Sequence, residues 1–200
     1  TNETIAKYLQ KYIVYRKRKI SFGKAQFNDL LPLIIKNKSV KFLLPLSAQH
    51  NGSISVILKN NDINFSEAIN LGAENADQQS EYLLLLNDDT EAIEANPITR
   101  MLEIAQIENV AVVGAKLSYP DGKLQHIGVV MLPGGPTHPF IAKSKSEYGY
   151  FGSALTPRNY SAVTAAAMLT SKKAFAQVHG FDTDFARDFN DVDYCLKLRA

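Results

Sequence analysis

The 200 residues carry 22 Lys/Arg against 20 Asp/Glu, a formal net charge of +2, with 46% apolar and 21% charged residues, the balance of an ordinary globular chain. No apolar run approaches the roughly 20 residues of a membrane helix, and the N-terminus lacks the charged-then-apolar order of a signal peptide, so the expectation is a soluble, cytoplasmic protein. The one cysteine, Cys195, excludes an internal disulfide and a thiolate zinc cluster.

The charge is unevenly placed. Residues 1–50 carry +8 and residues 51–200 carry −6. Arg16, Lys17, Arg18 and Lys19 stand in succession, a pattern that suits a solvated face or contact with an anionic membrane surface. No groove-reading motif accompanies it, so nucleic acid is not an expected partner.

In chain order, Ile5, Leu9, Tyr12 and Ile13 follow helical spacing and predict an amphipathic helix, with a second short helix over 28–36. Residues 1–38 therefore read as a basic helical segment, either accessory or a divergent start of the fold, ahead of an α/β domain over 39–200. Residues 39–46 and 53–59 read as strands. Asn64 with Glu67 forms a capping-box-like helix start, followed by Phe65, Ala68, Ile69, Ala73 and Ala76 on one apolar face.

Next comes Tyr82 to Asp89, an unbroken apolar run ending in adjacent carboxylates. Such runs mark strands covered on both faces, and ligands of open α/β sheets collect beyond strand carboxyl ends, where Asn87, Asp88 and Asp89 would sit. Asp89 and Thr90 equally suit a turn or a helix cap.

Asn96-Pro97 starts a helix with Ile98, Met101, Leu102 and Ala105 inward. A strand over 110–115, a turn over 119–122 and a returning strand over 124–132 follow. The order predicts an α/β domain with a mostly parallel sheet. Residues 133–160, rich in Gly and Pro, read as a long functional loop. A strand over 160–169, a helix from Ser171 to the stop at Gly180, and a last helix starting near Asn190 with Val192, Cys195 and Leu196 inward complete the chain.

Asp182, Asp184, Asp188, Asp191 and Asp193 crowd the last twenty residues, as helix-start acids or as a complement to Asp88 and Asp89. His126, His138 and His179 show no metal-ligand spacing and read as structural or loop residues.

Taken together, the segments Phe65 to Ala73, Tyr82 to Thr90, Val113 to Val130, Ser161 to Asp182 and Asn190 to Arg199 resemble the family 2 inverting glycosyltransferases, in particular the bacterial branch that makes surface polysaccharides. The resemblance covers about 60–200. It implies a mixed sheet sandwiched by helices, the Rossmann-like glycosyltransferase A-type fold. It also implies a nucleotide-diphospho-sugar donor and a saccharide or lipid-linked saccharide acceptor. Asp89 would bind Mg²⁺ or Mn²⁺, Asp88 the donor ribose or the metal shell, and Asn70 would lie on the donor side. Asp191 would be the general base, and residues 133–160 would shape the acceptor side.

Asn190 stands where the family has Glu, and His50 and Ser55 stand where acids grip the nucleotide base. A catalytically degenerate domain kept for binding or scaffolding is therefore the alternative. The chain also stops before the segment where relatives place a metal-binding histidine, so an excerpt of a longer protein is expected.

Overall fold

The computed structural model describes residues 63–76, 78–87 and 89–200 in full, and the backbone of the strands at 9–14, 40–42 and 56–58. The fold is mixed α/β. Its central sheet has four strands in the order β1 (Leu9–Val14), β4 (Tyr82–Asn87), β10 (Ala167–Ser171) and β5 (Val112–Gly114). β1 runs parallel to β4, and β10 runs antiparallel to both β4 and β5. Three strands thus point one way and β10 the other, a mixed sheet in which two of three pairings are antiparallel. β2 (Val40–Phe42) and β3 (Val56–Leu58) form an antiparallel pair, within the two strands expected there.

Leu9–Val14 corrects the expected N-terminal helix. Its residues recur at helical spacing, but Tyr12, Ile13 and Val14 are aromatic or β-branched, and pairing along β4 overrides a weak local preference. The expected helix at 28–36 lies outside the described residues.

β4 is covered on both faces, as its continuous leucines require. Leu83 and Leu85 join Met168 of β10 in one core, against Ile69 of α1 (Phe65–Glu74) and Val192, Tyr194 and Cys195 of α4 (Asn190–Lys197). Leu84 points the other way and joins Leu169 and Val113, against Met101, Leu102 and Ala105 of α2 (Pro97–Ala105). Leu83, Leu84 and Leu85 are each no more than 3% exposed, and burial of each contributes roughly 1.5–3 kcal/mol.

The capping box at α1 is present in both directions: Glu67 N–H donates to Asn64 Oδ1 at 2.8 Å and Asn64 N–H to Glu67 Oε2 at 2.7 Å. Ser171 caps α3 (Lys172–Gln177) through the Ala174 N–H, and Gly180 N–H closes the turn after it onto Phe175 O at 2.9 Å. In α4 the expected inward set changes. Val192 and Cys195 are buried, but Tyr194 replaces Leu196, which is 39% exposed.

The expected strand over 124–132 is broken in two. β7 (Leu124–His126) pairs with β6 (Leu117–Ser118), and β8 (Val130–Leu132) pairs with β9 (Gly135–Thr137). The break falls at Gly128, whose φ is +148 and where a Cβ would lie 2.1 Å from the Tyr160 ring. Only a residue without a side chain lets that ring approach. Residues 133–160 are folded rather than structureless. After the β8–β9 hairpin the chain doubles back onto β7, with Leu124 N–H donating to Lys143 O and Ala142 N–H to Leu124 O. No described helix is long and apolar enough to cross a membrane.

Candidate functional site at the carboxyl edge of the sheet

β4 ends at Asn87, whose N–H donates to Ala166 O at 2.8 Å. One residue earlier on that neighbouring segment, Ala165 N–H donates to Asp191 Oδ2 at 3.0 Å. Asp191 is therefore held at the edge of the sheet where β4 terminates. Its other oxygen accepts from Val192 N–H at 2.9 Å, so both oxygens are aimed by backbone while lone pairs remain for a ligand. Phe189, two residues before Asp191, lies in the left-handed region at φ +64 and opens α4 without a side-chain cap.

Asp89 sits two residues past β4 and is exposed. The turn there is closed by Thr90, whose N–H and hydroxyl both donate to Asn87 O. The Asp89 carboxylate has no partner among the described residues. Asp88 lies outside them. No group of three or more His, Cys, Asp or Glu side chains with metal-binding geometry occurs among the described residues. Mg²⁺ and its relatives bind through one or two carboxylates together with water and ligand oxygens, so the exposed Asp89 carboxylate suits such an ion.

The other acids of the C-terminal cluster divide in two. Lys197 Nζ lies 3.1 Å from Asp182 and 2.7 Å from Asp193, which commits both to the surface of α4. The Asp182 carboxyl is held below its usual range by the Asp184 N–H and then by Lys197. Asp188 and Asp191 instead line an open cleft of about 210 Å³, together with Val129, Pro136, His138 and Phe189. The segment expected to shape an acceptor side thus does border Asp191, through Pro136 and His138.

Asn70, expected on the donor side, is bonded at both ends of its amide to the backbone of Phe181. Its Nδ2 donates to Phe181 O and its Oδ1 accepts from Phe181 N–H, both at 2.8 Å, which pins the turn between α3 and α4. Both ends of the amide are thereby occupied. Asn190 is 4% exposed and donates to Phe185 O and Arg187 O at 3.5 and 3.4 Å. A carboxylate could not donate to those carbonyls, so the asparagine serves as a clamp on the loop before α4.

Sequence reasoning missed the histidine pair. His126, at the end of β7, and His138, just past β9, meet with their Nδ1 atoms 2.9 Å apart. They are twelve residues apart in different hairpins, and no spacing rule joins them. His126 is 2% exposed, and burial, then the neighbouring His138, drives its pKa down to about 3.

Fold and site together define a mixed α/β chain with acids gathered at the carboxyl edge of its central sheet. No family model matches the chain. It is 35% identical over 184 residues to y4gI, an uncharacterized protein of Sinorhizobium fredii, across 89% of this chain and 20% of that protein. It is 34% identical over 122 residues to the O-antigen biosynthesis protein RfbC of Myxococcus xanthus, across 60% of this chain and 10% of that protein. The chain thus spans a small part of the length of either relative.

Proposed function

We propose that this chain is the sugar-transferring part of a metal-dependent inverting glycosyltransferase in surface polysaccharide synthesis, with the glycosyltransferase A-type fold. The observation that carries this is the Ala165–Asp191 hydrogen bond, which sets a carboxylate beside the end of the strand that leads to Asp89. Partial identity to a protein named for O-antigen biosynthesis supports the pathway. A cytoplasmic location, next to a lipid-linked acceptor at the inner membrane face, goes with it.

In this reading Asp89, with Asp88, would hold Mg²⁺ or Mn²⁺, which would supply neutralising charge to a departing nucleoside diphosphate. Asp191 accepts the proton of an acceptor hydroxyl while that oxygen bonds to the anomeric carbon. The bond to the diphosphate oxygen breaks on the opposite face and its electron pair leaves with the diphosphate, so configuration inverts. The backbone N–H groups of Ala165 and Val192 keep the carboxylate fixed during this transfer.

Calorimetric titration of nucleoside diphosphates into the full-length protein, with and without Mn²⁺, tests the proposal. Metal-dependent binding that Asp89→Ala weakens is expected. A full-length protein that binds no nucleoside diphosphate under either condition is a degenerate domain instead.

A further inference from the structure

The cleft beside Asp191 contains one group whose hydrogen-bonding role is set by atoms outside the cleft. Thr164 N–H donates to His126 Nε2 at 3.3 Å, so that nitrogen carries no proton. A neutral His126 then bears its proton on Nδ1, directed at His138 Nδ1 2.9 Å away. His138 Nδ1 must accept, which leaves the His138 proton on Nε2. Burial of His126 keeps it neutral across the working pH range. His138 itself is half-buried and lines the cleft, and its Nε2 has no partner among the described residues.

The cleft is therefore lined by a ring whose N–H is fixed on Nε2, His138, and by two carboxylate acceptors, Asp188 and Asp191, together with Phe189, a residue 56% exposed. A hydroxyl both donates and accepts, so this pairing suits polyols. The volume of about 210 Å³ falls below the roughly 300 Å³ at which sites for drug-sized ligands begin, which matches a single sugar ring. Two carboxylates facing the ligand repel an anionic one.

We propose that this cleft is the acceptor-sugar subsite, that it takes an uncharged saccharide, and that His138 donates Nε2–H to the oxygen of a hydroxyl whose own proton faces Asp191. His126 is a positioning residue that fixes the His138 tautomer. The proposal rests on the glycosyltransferase reading for the word acceptor, but sugar binding here is measurable without donor or metal.

Two measurements on the full chain test it. Nitrogen-15 spectra of the histidine rings at neutral pH should show His138 protonated on Nε2 and His126 on Nδ1. Saturation-transfer spectra should show methyl glucoside, galactoside or mannoside binding, with methyl glucuronide weaker. His138→Phe, which keeps ring bulk on a half-buried residue, should weaken the neutral glycosides by about fivefold or more, the worth of one hydrogen bond. His138→Gln, which keeps a side-chain N–H, should recover part of the loss. His138 protonated on Nδ1, no neutral glycoside bound by the wild-type chain, glucuronide bound as well as glucoside, or unchanged binding in His138→Phe would each overturn the proposal. Glycoside binding that depends on His138 in a protein that binds no nucleoside diphosphate would leave this subsite standing and remove the transferase reading.

Discussion

The hydroxyls of Thr170 and Tyr194 meet at 2.7 Å with both residues fully buried, and Thr170 Oγ1 also donates to Ala111 O at 3.0 Å. This contact ties α4, and with it Asp191, to β10. Burial pushes the Tyr194 phenol well above its usual range, so it serves as a donor throughout. Tyr194 also stacks on Phe181 with centroids 4.7 Å apart.

Tyr194→Phe keeps the stack and leaves Thr170 bonded to Ala111, so it should cost about 1 kcal/mol. Thr170→Val leaves the buried Tyr194 hydroxyl without an acceptor, while Ala111 O keeps the Ser171 N–H at 3.3 Å, and should cost about 2 kcal/mol. Urea denaturation of the two variants checks the order. Equal losses would show that the Tyr194 hydroxyl finds another acceptor.

Asn70 should behave as a structural residue. Asn70→Ala leaves the N–H and carbonyl of Phe181, a 2% exposed residue, without partners, at about 1–3 kcal/mol for each group. Gly180→Ala should also destabilise, by about 1 kcal/mol or more, because φ is +75 and the new Cβ would lie 2.5 Å from Asn70 Oδ1. Thermal melts read both losses. A large drop in nucleotide affinity with unchanged melting of Asn70→Ala would instead restore the donor-side role expected for Asn70.

The buried His126 predicts a pH dependence. Its folded pKa of about 3 lies below the ordinary 6.5, so above pH 6.5 the imidazole is neutral in both states and contributes nothing. As pH falls below 6.5 the unfolded chain takes up a proton that the folded chain refuses, and stability declines by about 1.4 kcal/mol per pH unit until the folded value is reached. Between pH 6.5 and 5, before most carboxylates titrate, His126→Gln should show a flatter decline than the wild type in denaturant titrations. Parallel declines would mean that His126 is not a buried neutral residue.

Much of the fold could be read from local chemistry. Asn64 and Glu67 announced α1, Ser171 and Gly180 bounded α3, and the continuous leucines of β4 marked burial on both faces. What local patterns missed was decided by distant partners. Leu9–Val14 pairs with β4 73 residues on, and the Tyr160 ring packs where the strand expected over 124–132 breaks at Gly128. At the candidate site, the place of Asp191 in the first turn of the last helix could be read from the sequence. Its contact with Ala165, the clamp made by Asn190, and the His126–His138 pair exist only once separate hairpins and helices are packed together.

Asp191 as general base is the central claim, and Asp191→Asn tests it most directly. The amide keeps the size of the carboxylate and an oxygen for Ala165 N–H, but cannot take a proton. Donor turnover, measured as nucleoside diphosphate released from a nucleotide-sugar in the presence of a saccharide acceptor, should fall by about 10²–10⁴-fold, while Mn²⁺-dependent nucleoside diphosphate binding stays at the wild-type level. Full turnover in Asp191→Asn would contradict the account.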